Sequence, residues 1–178
     1  RGKPRIEGHR AGAESVRRIV SACADFDIHY LTLYAFSTEN WKRPKLEIDA
    51  LMRLLLQTIN KETETLMKNN IKLNAIGNLQ NLPRNIYQSL MRVIKETAHN
   101  DRMTLTLALS YSSRWELIET VKKIARQVKD DKLNIDDLDQ KLFQNQLHTA
   151  GIPDPELLIR TSGEHRVSNF LLWQIAYA

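Results

Sequence analysis

Short apolar runs alternate with longer segments of helical periodicity along this chain, and that alternation limits the folds it can adopt. Residues 28–35, 71–76 and 103–109 are rich in leucine, isoleucine and threonine and are short enough to predict buried strands. Between them, apolar side chains recur at the spacing that is typical of helices. Consecutive strands that are joined through helices pair in parallel. The sequence therefore predicts an α/β fold, with a layered, mostly parallel β-sheet flanked by helices.

Further predicted elements fill the rest of the chain. A fourth strand is predicted at residues 157–160, and the apolar residues 170–178 are predicted to be helical. With 178 residues, 42% of them hydrophobic, the chain can bury a substantial core, so we expect a single domain over residues 1–178. It opens without a methionine and stops inside an apolar run, and we therefore expect it to be truncated at both ends. Helices are predicted at residues 10–25, 46–69, 83–99 and 113–129, with a short one between residues 135 and 147.

Charge and composition narrow the class of ligand without choosing one. The formal net charge of +5 suits phosphorylated ligands, nucleic acid or an anionic membrane surface. No apolar run reaches the length of a membrane span, and residues 1–10 lack the apolar core of a signal peptide. The single cysteine, Cys23, cannot form an internal disulfide. We therefore expect a soluble protein of a reducing, cytoplasmic compartment, with at most peripheral membrane contact.

Polar loops follow the predicted strands, which is where parallel sheets bind ligands. The sharpest of them is residues 160–169, RTSGEHRVSN, in which Arg160 and Arg166 flank a Thr-Ser-Gly turn and Ser168 follows. Guanidinium forks match phosphate oxygens and a serine hydroxyl adds a donor, so the loop could wrap an anion. Glu164 is placed to orient one of the arginines. The alternative is a surface loop with two exposed arginines.

The loop after the first predicted strand carries a similar ambiguity. Ser37, Asn40 and Arg43 could hold a charged ligand. Trp41 could cover that ligand, or it could simply pack against the protein. Both readings stay open on the residues alone.

Metal ligands are not evident in the sequence. Residues 136–139, DDLD, fit the acidic first turn of a short helix better than a magnesium motif. His148 and His165 have no second ligand at zinc-site spacing. Near the start of the chain, Arg5 and His9 precede the first helix, whose N-terminal amides could bind an anion.

Two long motifs resemble one enzyme family. Residues 36–44, FSTENWKRP, closely resemble the FS(S/T)ENW.RP loop of undecaprenyl diphosphate synthases, and residues 160–174 resemble the second signature of that family. Residues 8–12, GHRAG, and 111–114, YSSR, match it in the same order. The resemblance spans practically the whole chain. It implies the cis-prenyltransferase fold, with an apolar tunnel between sheet and helices, and an enzyme that lengthens an allylic diphosphate with isopentenyl diphosphate.

The resemblance also implies roles for individual residues. Ser37 and Asn40 would act near the reacting centre, and Trp41 would lie on a mobile loop that closes over substrate. The allylic diphosphate would be held by Arg5, His9 and Arg43, and the diphosphate of isopentenyl diphosphate by Arg160, Arg166 and Ser168. Ala35 would stand in the tunnel wall and Met103 near its floor, beside a long helix that carries Leu51, Leu54 and Leu55.

Substrates and partners follow from the same resemblance. It implies farnesyl diphosphate and isopentenyl diphosphate as substrates, Mg²⁺ as cofactor and a homodimer without nucleic acid. The product would be undecaprenyl diphosphate, the precursor of the lipid carrier for cell-wall synthesis, made in the cytoplasm, at or near the inner face of the membrane. The family's magnesium-binding aspartate lies just upstream of Arg1, and an assisting acidic residue lies beyond Ala178, so we expect no metal ligand within this chain.

Two alternatives compete with the enzyme. A catalytically silent partner subunit of a cis-prenyltransferase complex would keep the fold, but the retained arginines and the ENW loop argue against it. A basic nucleic-acid-binding domain would need a stacking surface or a basic stripe, and the sequence offers neither.

Overall fold

Strands and helices alternate along the chain in the predicted order. The computed structural model describes the backbone of residues 5–178 and the side chains from residue 11 to residue 178. Short 3₁₀ helices lie at Thr38–Lys42, Leu79–Asn81 and Ile135–Asp137. The strands are β1 (Tyr30–Ser37), β2 (Ile71–Ile76) and β3 (Met103–Tyr111), and the helices are α1 (Arg5–Asp25), α2 (Lys45–Lys68), α3 (Arg84–Glu96), α4 (Ser113–Lys129) and α5 (Gln140–Gln144).

The strands of the described chain form a parallel three-stranded sheet in the order β1-β3-β2. β3 lies in the centre, so nearly all of its side chains are buried. β2 and β3 pair in register from Ile71 opposite Met103 to Ile76 opposite Ala108. Because the strands are parallel, all three begin at one edge of the sheet and end at the other. The predicted α/β architecture is confirmed.

Helices α1 and α2 run from the carboxyl edge of the sheet back to its amino edge, since each ends just before a strand begins. In α2, Met52, Ile59 and Leu66 recur every seven residues and are buried, which places one face of the helix on the core. Val20 and Ala24, one turn apart in α1, are buried in the same apolar cluster. Among the other described side chains of α1, Val16 and Ile19 are exposed.

Contacts divide the chain into two units, Arg1–Ser110 and Tyr111–Ala178. The first contains α1, α2 and α3 with the sheet, and the second contains α4, α5 and the loops that follow them. The single domain over residues 1–178 stays a prediction. Within the described residues, no helix is both long enough and apolar enough to cross a membrane.

Two predicted elements near the end of the chain were wrong. Residues 157–160 are not a strand: Leu157 and Ile159 are 73% and 74% exposed, and the segment joins no ladder of the described sheet. A short apolar run becomes a strand only when a neighbour pairs with it. Residues 170–178 form turns instead of a regular helix, because the backbone enters the left-handed region at Asn169 and Leu171, which interrupts helical hydrogen bonding.

Candidate active site

An apolar cavity of about 420 Å³ lies in the first unit, lined by α1, α2 and the three strands. Leucines and other apolar side chains cover the sheet side of this cavity. Its lining includes four residues that the resemblance assigns to a tunnel: Ala35, Leu51, Leu54 and Leu55. The structure therefore brings these four residues together around one apolar space.

Met103, the predicted floor residue, is placed differently. It is only 1% exposed, and it is not among the described residues that line the cavity. Its register partner Ile71 does line the cavity. Met103 therefore lies beside a lining residue, on the neighbouring strand at the amino edge of the sheet, the end away from Ser37.

A polar loop begins where β1 leaves the cavity wall. Ala35 and Phe36 line the cavity, and the next residue, Ser37, starts the loop. The backbone N–H of Ser37 donates to Oδ1 of Asn40 at 3.0 Å, which closes the loop into its 3₁₀ turn. Arg43 Nη1 donates to Glu47 Oε1 at 2.9 Å, one turn into α2. The guanidinium is thus oriented by a carboxylate, and its other N–H groups could contact a phosphate.

Trp41 is packed and hydrogen-bonded in the same loop. Its ring meets Phe36 edge to face, with centroids 4.8 Å apart and planes at 71°. Its Nε1 donates to Oγ of Ser110 at 2.8 Å. Ser110 is fully buried at the end of β3 and holds a left-handed backbone, with φ of 49°. The structure therefore has Trp41 fastened to the carboxyl end of the central strand.

Tyr34 adds a hydroxyl that was not predicted for this site. Its side chain lines the cavity and hydrogen-bonds Ser37. Burial, reinforced by the negative charge of Glu39, raises the pKa of Tyr34 to about 12, although the hydrogen bond with Ser37 opposes the shift. The phenol therefore stays protonated at physiological pH and can act as a hydrogen-bond donor beside the loop.

The second unit holds the predicted anion loop. Arg160 Nη1 donates to Oγ of Ser168 at 3.1 Å, so these two residues meet across the loop. Arg166 Nη1 lies 2.7 Å from Glu164 Oε2, which confirms that Glu164 orients one arginine. The side chains of both arginines are exposed. The loop thus offers two guanidinium groups and a hydroxyl to an incoming anion.

The backbone of this loop is unusually strained. Left-handed φ values cluster here, and outside glycine each carries a conformational cost. Asn169 holds the strained segment against α4: its carbonyl accepts the Ser113 N–H at 2.8 Å and its Oδ1 accepts the Arg114 N–H at 2.9 Å. Asn169 therefore caps α4 from a distant part of the chain. The left-handed residues are Ser162, Gly163, Ser168, Asn169 and Leu171.

A buried carboxylate fixes the elements around α4. Glu116 is fully buried and accepts the hydroxyl of Tyr111 at 2.6 Å. It also accepts the backbone N–H of His148 at 2.9 Å and Nε2 of Gln174 at 3.1 Å. A buried carboxylate is tolerated when several donors satisfy it. Glu116 therefore ties α4 to two separate loops of the second unit.

Two predicted site residues and the metal cannot be placed in this geometry. The side chains of Arg5 and His9 lie outside the described residues. Among the residues that are described, His, Cys, Asp and Glu side chains form no group of three or more that could hold a metal ion. The described carboxylates therefore do not fit a Mg²⁺ site on their own.

The whole chain matches a known family. Residues 1–178 match the family model described as "Putative undecaprenyl diphosphate synthase". An isoprenyl transferase of Heliobacterium mobile is 50% identical over 177 residues, which covers 99% of this chain and 68% of that protein. The ditrans,polycis-undecaprenyl-diphosphate synthase ((2E,6E)-farnesyl-diphosphate specific) of Photorhabdus laumondii is 45% identical over 178 residues, covering 100% of this chain and 70% of that protein.

Solved structures agree with the sequence relatives. The lavandulyl diphosphate synthase of Lavandula x intermedia, in complex with dimethylallyl diphosphate, aligns with a TM-score of 0.93 and 34% identity over 97% of this chain and 75% of that chain. A probable undecaprenyl diphosphate synthase from Campylobacter jejuni aligns with a TM-score of 0.82 and 35% identity, over 100% of this chain and 79% of that chain. The chain belongs to the undecaprenyl diphosphate synthase family of prenyltransferases, which confirms the predicted enzyme class.

Several residues of the site were not predicted from the sequence. Tyr34 was read only as part of a strand, and Glu47 only as part of a helix. Ser110 and Asn169 follow predicted strands, but the local sequence pattern gave no sign of their contacts. Ser110 accepts a hydrogen bond from the Trp41 indole, and Asn169 accepts hydrogen bonds from the first residues of α4. The motif signal could have found Glu47, since it lies one helical turn after Arg43.

Proposed function

We propose that the protein extends farnesyl diphosphate with isopentenyl diphosphate units in cis geometry and releases a long-chain polyprenyl diphosphate, undecaprenyl diphosphate. The observation that carries this proposal is the apolar cavity of about 420 Å³ with the polar loop of Ser37 and Arg43 at its carboxyl-edge end. A charged head and an apolar tail of one substrate fit these two environments. The name of the Photorhabdus relative, which specifies farnesyl diphosphate, supports the same choice of starter.

The polar loop is proposed to handle the allylic end of the reaction. Arg43, held by Glu47, would contact the allylic diphosphate together with Arg5 and His9. Ser37 and Asn40 would guide proton loss near the reacting carbon, with Trp41 closing the site. Their hydrogen bond supports this role, because it fixes both residues at the end of the cavity wall.

The loop of the second unit is proposed to bind the other substrate. Arg160, Arg166 and Ser168 would hold the diphosphate of isopentenyl diphosphate. The reaction brings two diphosphates together, and the two guanidinium groups would offset the negative charge of isopentenyl diphosphate. Replacing either arginine with alanine should therefore weaken binding of isopentenyl diphosphate more than binding of the starter.

The proposed step exchanges the allylic C–O bond for a new C–C bond and releases a proton. The allylic C–O bond breaks and its electron pair leaves with the diphosphate. The double bond of isopentenyl diphosphate attacks the allylic carbon, which leaves a tertiary cation. A proton then passes from the adjacent C2 carbon to the departing diphosphate, and the new cis double bond forms. Negative charge grows on the leaving diphosphate, so the positioned arginines should supply stabilisation there.

We also propose a Mg²⁺ requirement, a homodimer and a cytoplasmic site of action beside the inner face of the membrane, where the product would serve as precursor of a cell-wall lipid carrier. When bound, Mg²⁺ would neutralise the leaving diphosphate. Among the described residues, His, Cys, Asp and Glu side chains supply no group of three or more ligands for it. The silent-subunit alternative is disfavoured by the arginines and serine gathered in the second unit.

Product analysis tests the proposal. The full-length protein is incubated with farnesyl diphosphate, labelled isopentenyl diphosphate and Mg²⁺, and the extracted products are separated by chain length. A ladder that ends in a long polyprenyl diphosphate is expected. No product would refute the proposal.

Replacing Arg166 with alanine tests whether the loop of the second unit binds isopentenyl diphosphate. Arg166→Ala removes a charge-assisted contact of about 1.5 to 3 kcal/mol, so the apparent affinity for isopentenyl diphosphate should fall by about one to two orders of magnitude. Arg126→Ala, which removes an exposed arginine from α4, is the matched control. Equal kinetics in the two variants would remove Arg166 from the binding site.

A further inference from the structure

The wall of the apolar cavity contains one ion pair. Arg17 of α1 donates from Nη2 and Nε to Glu62 Oε1 of α2, at 2.5 and 3.1 Å, and both residues line the cavity. Glu14 accepts from Arg17 Nη1 at 2.6 Å, one turn earlier in α1. Glu62, then Glu14, raises the pKa of Arg17, so the guanidinium stays charged. The side chain of Glu62 is 19% exposed, which makes it the more buried partner.

Polar groups in this cavity are concentrated on the two helices. Thr58, Glu62 and Thr65 follow one another at helical spacing along one face of α2. Across from them α1 contributes Arg17 and Ser21. On the sheet side, most lining residues are apolar. The cavity therefore has an apolar side along the sheet and a polar seam where α1 and α2 face each other.

The ion pair lies toward the amino-edge end of this seam, with the Arg17 side chain 39% exposed and the Glu62 side chain 19% exposed. α2 runs from the carboxyl edge of the sheet, where the polar loop stands, toward the amino edge. Glu62 follows the lining residue Leu51 by eleven positions, or roughly 16 Å along the helix. A growing apolar chain that starts at the polar loop would thus meet leucines first and the ion pair later.

We propose that the Arg17–Glu62 ion pair is a determinant of product length, which rests on the proposed elongation of a prenyl diphosphate. An isoprene unit gains free energy when it leaves water for an apolar wall. A unit that covers the ion pair instead takes water from two charged groups and gives them no hydrogen bond in return. Each addition past this depth is therefore disfavoured relative to release of the product.

The test replaces the ion pair by apolar side chains of similar length. In Arg17→Met/Glu62→Leu, product longer than the main wild-type product should rise about tenfold, the effect of removing one unfavourable polar contact of about 1.4 kcal/mol. The matched control is Arg92→Met/Glu96→Leu, which removes a helical ion pair of α3 that does not line the described cavity. The control should give the wild-type distribution.

Further outcomes separate the two proposals. If the double variant does not fold, Arg17→Gln/Glu62→Gln removes both charges, keeps polar side chains of similar length and should shift products in the same direction. The exchange Arg17→Glu/Glu62→Arg should restore the wild-type distribution. An unchanged or shorter distribution in the apolar or Gln variant, while wild type makes a long product, overturns the role of the ion pair. Absence of long product in the wild type overturns the proposed function instead.

Discussion

The bond between Trp41 and Ser110 allows a quantitative prediction. Ser110 is fully buried, so Trp41→Phe leaves its hydroxyl without the indole donor, at a cost of about 1 to 3 kcal/mol. Ser110→Ala removes the acceptor of the indole N–H of Trp41, and it should cost less because Trp41 is only half-buried. The left-handed backbone at position 110 is present in both Ser and Ala variants, so its strain cancels between them. A double-mutant cycle should therefore return a coupling energy of about 1 kcal/mol.

Urea unfolding of four proteins measures this coupling. Wild type, Trp41→Phe, Ser110→Ala and the double variant are unfolded in the absence of substrate, and the free energies of unfolding are combined in the cycle. Residues that act independently add within about 0.3 kcal/mol. A coupling energy inside that range would show that the indole and the hydroxyl do not interact in solution, and would refute the fastening of the loop to β3.

Three further predictions concern other residues of the same structure. Burial raises the pKa of the Tyr34 phenol to about 12, so its contribution to stability is complete below pH 10 and is lost as the pH rises toward 12. The difference between the spectrophotometric titrations of wild type and Tyr34→Phe should therefore show a transition near pH 12. A transition at pH 10 would contradict the assigned burial. Met103→Ala should open space beside Ile71 and lengthen the products, whereas Ala35→Leu should narrow the cavity and shorten them; two unchanged distributions on chromatography would leave both residues out of length control. Asn169→Ala removes the cap on Arg114 and should lower the free energy of unfolding by about 1 kcal/mol, and a loss below about 0.3 kcal/mol in urea would show that the cap contributes nothing.

The sequence was sufficient for the alternating part of the fold. The three strands, α2 and α4 lie close to their predicted positions because their apolar periodicity is long and their ends carry clear signals, such as Pro44 before α2. Residues 157–160 and 170–178 failed for a different reason. Their apolar character was real, but a strand needs a partner and a helix needs compatible backbone angles at every residue, and neither can be read from composition.

The candidate site divides in the same way. Motif spacing placed Ser37, Asn40 and Arg43 in one loop, and Arg160 and Ser168 in another, and hydrogen bonds join members of each set in the structure. Contacts between residues far apart in sequence were out of reach. The ion pair of α1 and α2 joins residues 45 positions apart, and the bond from Trp41 to β3 spans 69 positions. Nothing in the local pattern of either partner encodes such a pairing.

The strained loop of the second unit makes anion binding sensitive to substitutions elsewhere in that unit. Asn169, one of its left-handed residues, accepts hydrogen bonds from the backbone N–H groups of Ser113 and Arg114, so the loop is held to the start of α4 without an anion bound. Ligand binding then requires little further ordering, which favours affinity. The same coupling makes the loop sensitive to distant damage. A substitution that destabilises the first turn of α4 would let the strained backbone relax. It should lower the apparent affinity for the anion, although it changes neither arginine.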